Sequence, residues 1–180
     1  MSAPAPTLTL VENTIHQWVV SATGLAATQV IWKDQNGPRP SRSFVALKLV
    51  DSQEIGTGWT ILEDRLTTAP APGVNYRARG QERIRISFEA FADNTVGTAT
   101  ASELLKAIRG KYRLPSIKNL LEALPIGVSQ FTSITSLDFL ENKTQYLSRA
   151  TMDCLAYLPT EFVETGYNIE TADEAVVLTP

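Results

Sequence analysis

The sequence has one histidine, His16, and one cysteine, Cys154. Zinc and iron sites built from several imidazoles or thiolates need more ligands than that, and a Cys-His nucleophile pair of the usual local type is not present, so no metal, cofactor or catalytic residue is expected. A single cysteine cannot close an internal disulfide, which removes any dependence on an oxidising compartment and fits assembly in a cytoplasm. Basic charge is also scarce. Sixteen Lys and Arg stand against 19 Asp and Glu, a formal net charge of −3, so nothing draws the whole chain to phosphate backbones or anionic lipid. No stretch approaches the roughly 18 to 20 consecutive apolar residues of a membrane span. The opening segment to Thr7 has neither the basic start nor the apolar run of a signal peptide. No internal period marks a repeat architecture.

Other features that could carry chemistry read more simply as structure. The carboxylate pairs Glu63-Asp64 and Asp173-Glu174 lie in polar stretches, where solvated surface accounts for them. Gly56-Thr57-Gly58 lacks the third glycine, the Lys-Ser/Thr pair and the helix start of a phosphate loop, and reads as a turn. His16 falls on the polar side of a helical pattern, in a solvated or capping place. Cys154 falls in an alternating strand, as a small buried hydrophobe.

What is present is a core. At 180 residues, with 43% apolar and 19% charged side chains, the chain has the composition of one packed domain. We place that domain at residues 9–166, after a flexible tail at 1–8 and before an acidic extension at 167–180. Val11, Ile15, Trp18, Val19 and Ala22 recur on one helical face, with Thr9 and Glu12 spaced as a capping box and Gly24 as the C-terminal stop. Residues 29–32 and 43–50 are rich in β-branched and aromatic side chains around the turn cluster Asn36-Gly37-Pro38, which predicts a hairpin with a long loop. From Asp51 to Gly80 the pattern breaks down into what reads as a long loop ordered by a partner. The strand at 82–91 alternates cleanly, with Ile84, Ile86 and Phe88 on one side and Arg83, Arg85, Ser87 and Glu89 on the other.

A second helix is predicted from the capping-box spacing Thr100 to Glu103 through Leu104, Leu105 and Ile108 to Gly110. A third starts on Pro115 and stops before Pro125. The last third returns to strands at 126–139 and 145–158 around a polar turn. Ala150, Met152, Cys154 and Ala156 alternate inward there, whereas the preceding strand has apolar residues on both parities and no clear register. The fold class is therefore α+β: an antiparallel sheet of two hairpins and a central strand, with two or three helices on one side.

Charge is polarised along the chain. Tyr76 to Leu121 carries nine basic and four acidic side chains, net +5, and Glu122 to Pro180 carries two basic and nine acidic, net −7. These charges can meet within one subunit. In a head-to-tail ring they can instead steer one copy onto the next. The acidic ending also holds Val176-Val177-Leu178, a short β-prone cluster able to add to a neighbour's sheet edge.

The run Ile15-His-Gln-Trp18, Thr23-Gly-Leu25, then Val30-Ile-Trp-Lys-Asp-Gln-Asn-Gly-Pro-Arg-Pro40 and Phe44 to Leu49 resembles the phage neck terminator family, also described as tail terminator or tail completion proteins. The resemblance is specific over about residues 11–50 and architectural beyond, and Ser43-Phe44 stands where a Pro-Tyr pair is more typical. It implies a non-enzymatic virion protein at the tail-neck junction, forming a hexameric ring that halts tail-tube growth. The implied partners are further copies of itself, the tail tube or sheath, and a neck or head-completion protein, with DNA passing through the lumen unbound and no membrane involved. Gln35, Asn36, Arg39, Arg77 and Arg79 are the candidate interface residues, together with the segment from Thr67 to Gly80. Another tail or neck subunit (tube, baseplate or head-completion adaptor) is the alternative.

Overall fold

The computed structural model describes residues 7–35, 38–40, 43–66, 73–93, 98–137, 139–141 and 145–167, with the backbone alone at 57–66, 73–77, 139–141, 145–146 and 162–167. The first helix, α1, spans Leu8–Thr23 and begins where Thr7, in extended backbone, accepts the Leu10 amide at 3.4 Å. The cap is thus Thr7, not Thr9, and Leu8 is already helical. The predicted stop holds: Gly24 takes φ 75°, a left-handed value that favours glycine, and its amide reaches the Val20 carbonyl at 2.9 Å.

Helix α2 spans Ala101–Lys111 on the predicted capping box, with the Thr100 amide donating to Glu103 Oε2 at 2.8 Å and the Glu103 amide to Thr100 Oγ1 at 3.3 Å. The Thr100 backbone and side-chain hydrogen bonds hold the Glu103 carboxyl below its usual range, so its contribution is present near neutrality and lost as pH falls through the lowered value. Thr100→Ala is expected to cost about 1 kcal/mol in urea denaturation at neutral pH, with a smaller difference in acid. Helix α3 spans Pro115–Glu122 with proline in its first turn and buries Ile117 and Leu121.

The helices cover one face of a sheet of seven strands among the described residues. These are β1 (Val30–Trp32), β2 (Phe44–Leu66), β3 (Gly73–Asp93), β4 (Gly127–Phe131), β5 (Thr135–Ser136), β6 (Phe139–Glu141) and β7 (Gln145–Tyr167). The order is β1-β2-β3-β7-β4, with β5 and β6 also on β7. Cross-strand rungs set the covered face: Val45, Ala90 and Ala150, then Leu47, Phe88 and Met152, then Leu49, Ile86 and Cys154. All but the half-buried Leu49 are buried, and they form one core with Trp18, Leu105 and Ile108. The Cys154 thiol is pushed up to about 12, first by burial and then by Asp153, so it stays protonated and unreactive.

Two sequence readings are corrected. The first hairpin is absent, because β1 pairs with β2 in parallel, Val30 opposite Val45 and Trp32 opposite Leu47. The chain from Lys33 to Ser43 is therefore a crossover and not a simple reversal. The supposed loop from Asp51 to Gly80 is mostly the paired arm of β2 and β3, from Asp51 opposite Arg85 to Leu66 opposite Gly73. Gly56, at φ 103°, sits in the register shift between Ile55 and Thr60, which is the structural role of the glycine motif there.

The ambiguous parity before residue 139 also has a cause. A bulge between Val128 and Gln130 brings both Val128, opposite Ala156, and Phe131, opposite Cys154, toward the core. Thr132 then bridges the break in pairing: its amide donates to the Asp153 carbonyl at 2.9 Å and its hydroxyl accepts the Asp153 amide at 2.8 Å.

Candidate assembly interface

Three strands outrun the helices. Beyond the buried residues Ile84 and Leu158, β2, β3 and β7 continue as a ribbon to the rung of Gly73 and Tyr167, and residues 51–56 are exposed on it. From Glu82 back to Gly73 this arm is about 30 Å long at a strand's usual rise. Its two margins are open: β1 covers β2 only at Val45 to Leu47, and β4 covers β7 only as far as Tyr157. Among the described residues, no strand lies outside β2 after Lys48 or outside β7 after Leu158.

The sheet face away from the helices is polar and cross-linked. Glu89, 3% exposed, forms ion pairs with Lys33 from the β1 end and with Arg149 of β7. Further along, Arg85 pairs with Asp51 at 2.7 Å, Arg83 with the Gln53 side chain, and Arg79 with Glu161 at 3.1 Å. Next to Glu89, the rings of Phe44 and Phe91 stack at 4.6 Å.

The candidate residues divide between the two ends of this face. Gln35 is an exposed turn residue whose amide reaches the Trp32 carbonyl at 3.2 Å. Arg39 lays its guanidinium 5.2 Å from both the Phe44 and Phe91 rings, a cation-π contact inside the subunit that leaves the residue exposed. Asn36 lies outside the described residues, as do residues 67–72 of the segment from Thr67 to Gly80. Arg77 belongs to the arm, opposite Val163, with only its backbone described, and Arg79 is two residues on. Phe91 and Arg79 are twelve residues apart on β3, about 40 Å along the strand, so the five residues do not form one site. Sequence reasoning missed the Glu89 cluster, although the alternation at 83–89 placed Glu89 on the uncovered face.

His16 holds structure together: its Nε2 lies 3.1 Å from the Ala27 carbonyl and 3.0 Å from that of Val30, tying α1 to the approach of β1. Among the described residues no group of three His, Cys, Asp or Glu could hold a metal ion. No described helix is long and apolar enough to cross a membrane.

The family profile of the phage neck terminator protein matches residues 9–179. The chain belongs to this family. For a neck terminator the open-edged arm is a natural place to look for contacts, since the match runs through it and on past the end of β7. Among curated protein sequences nothing matches. A cryo-EM structure of an extracellular contractile injection system, described as the PVC sheath/tube terminator in extended state, aligns at 13% identity and a TM-score of 0.42. The alignment covers 99% of the neck terminator chain and 65% of the other, so this chain spans about two thirds of its length. The family makes the protein a structural component of phage tail assembly.

Proposed function

We propose that this neck terminator works as a closed ring of identical copies, six by family resemblance, that caps the head-proximal end of the tail tube, ends its growth and joins the tail to the neck. The observation that carries this reading is the arm whose two margins are unpaired among the described residues. Long open strand edges are a liability that single-subunit proteins cover, and here both run for many residues on opposite sides of one ribbon. A head-to-tail ring satisfies them, the β2 margin of one copy meeting the β7 margin of the next.

In such a ring the segment around 67–80, with Arg77 and Arg79, is offered to the tube or neck protein, and Gln35, Asn36 and Arg39 form a second contact at the other end. A lumen without excess basic charge lets DNA pass without sticking. Assembly takes place in the host cytoplasm and no bond is made or broken. Mass photometry and electron microscopy of the purified chain, alone and mixed with tail tubes, are expected to give single closed rings, free or seated at one tube end. Open-ended polymers would favour the reading as a tube subunit, and single copies that ignore tube ends would overturn the ring.

A further inference from the structure

A groove of about 640 Å³ runs beside β4, the last strand of the sheet. Leu121, Ile126 and Val128 supply an apolar floor, and Arg113 and Lys118 stand at its rim with Glu122, which Lys118 meets at 3.6 Å, so the rim keeps a net positive charge. No strand pairs with the outer side of β4 among the described residues, so the groove lies against an open edge. We infer that this groove receives the C-terminal segment 170–178 of a neighbouring copy, an inference that rests on the ring reading.

Two observations choose this segment. First, the chemistry is complementary: residues 168–180 hold Glu170, Asp173 and Glu174, no basic residue, and the cluster Val176-Val177-Leu178. The acids suit Arg113 first and Lys118 in competition with its exposed partner Glu122, and a β-prone triplet suits an apolar floor beside an edge unpaired among the described residues. Second, the family profile runs to residue 179, twelve residues past the end of β7, so this segment is part of the family's own length.

The ring reading then chooses another copy: in it the β2 margin of one subunit meets the β7 margin of the next, which brings a second chain to the side of the sheet where β4 lies outside β7.

The test uses the full chain carrying Val128→Cys and Leu178→Cys. Cys154 is buried and its thiol stays protonated, so it takes no part in exchange. After mild oxidation, a non-reducing gel is expected to show covalent dimers and longer ladders. A shifted band at the size of one chain would mean that the tail fills its own groove, and an unshifted band that it fills none; either result overturns the inference.

A second arm reverses charge. Arg113→Glu with Lys118→Glu is expected to raise the concentration for half-assembly about tenfold, two rim ion pairs at modest strength each. Adding Glu170→Lys, Asp173→Lys and Glu174→Lys to the same chain should restore it, which a mere folding defect would not allow. Unaltered rings in every variant would overturn the inference and leave the ring standing. A parent chain that never forms rings, together with no intermolecular disulfide, would take both down.

Discussion

Trp18→Ala is expected to lower stability by about 3 to 5 kcal/mol, enough to leave a sizeable unfolded fraction in a domain whose total is of order 5 to 15. The indole is fully buried and meets Phe88 edge to face at 5.6 Å and Phe131 at 6.2 Å. These rings belong to α1, the middle of β3 and the edge strand β4, three segments far apart in the sequence. Truncation therefore removes a large apolar volume, opens a cavity and cuts two aromatic contacts worth about 0.5 to 1.5 kcal/mol each beyond burial. Trp18→Phe keeps a ring in the same place and is expected to cost well under half as much. Urea midpoints at constant m-value measure both. A loss under about 1 kcal/mol for the alanine variant would be incompatible with α1 lying over the sheet centre.

The helices and the covered sheet face were legible because burial writes a period into sequence. Thr100 and Glu103, Pro115 and Gly24 mark ends whose chemistry is local, and Ile84 to Phe88 and Ala150 to Ala156 alternate because one side meets the core. The start of α1 was two residues out because two threonines, Thr7 and Thr9, compete for the cap, and only geometry decides between them. The arm was illegible for the complementary reason. Among the described residues nothing covers 51–56, so no face there has to be apolar, and Gly56 in a register shift looks the same as glycine in a loop.

Pairing direction is a global property. Asn36-Gly37-Pro38 signals a reversal whether the chain returns beside itself antiparallel or crosses over to run parallel, as β1 and β2 do. The candidate contacts suffered from the same limit. Arg39 was readable as an exposed cation, but its seat over Phe44 and Phe91 depends on β2 and β3 being neighbours. Lys33, Glu89 and Arg149 come from three distant stretches, and no spacing in the sequence announces their meeting.

That cluster yields the other large effect, argued from what each side chain leaves behind. Arg149→Ala is expected to cost about 3 kcal/mol, because Glu89 is 3% exposed and, among the described residues, would keep Lys33 alone as a partner for a buried charge. The loss is compounded by the guanidinium's contact with Phe91, 5.6 Å from the ring centre. Arg149 itself is half exposed, so the reverse change, Glu89→Leu, strands no buried charge: Lys33 and Arg149 can turn to water, and the leucine suits a site beside Ala46 and Phe91. Glu89→Leu should therefore cost less than Arg149→Ala, and the double variant should be more stable than Arg149→Ala alone. A double-mutant cycle by urea denaturation reads the coupling directly, with an expected value above about 1 kcal/mol. Strictly additive single effects would mean that the carboxylate draws nothing from Arg149, and the tie across β1, β3 and β7 on the uncovered face would lose its physical basis.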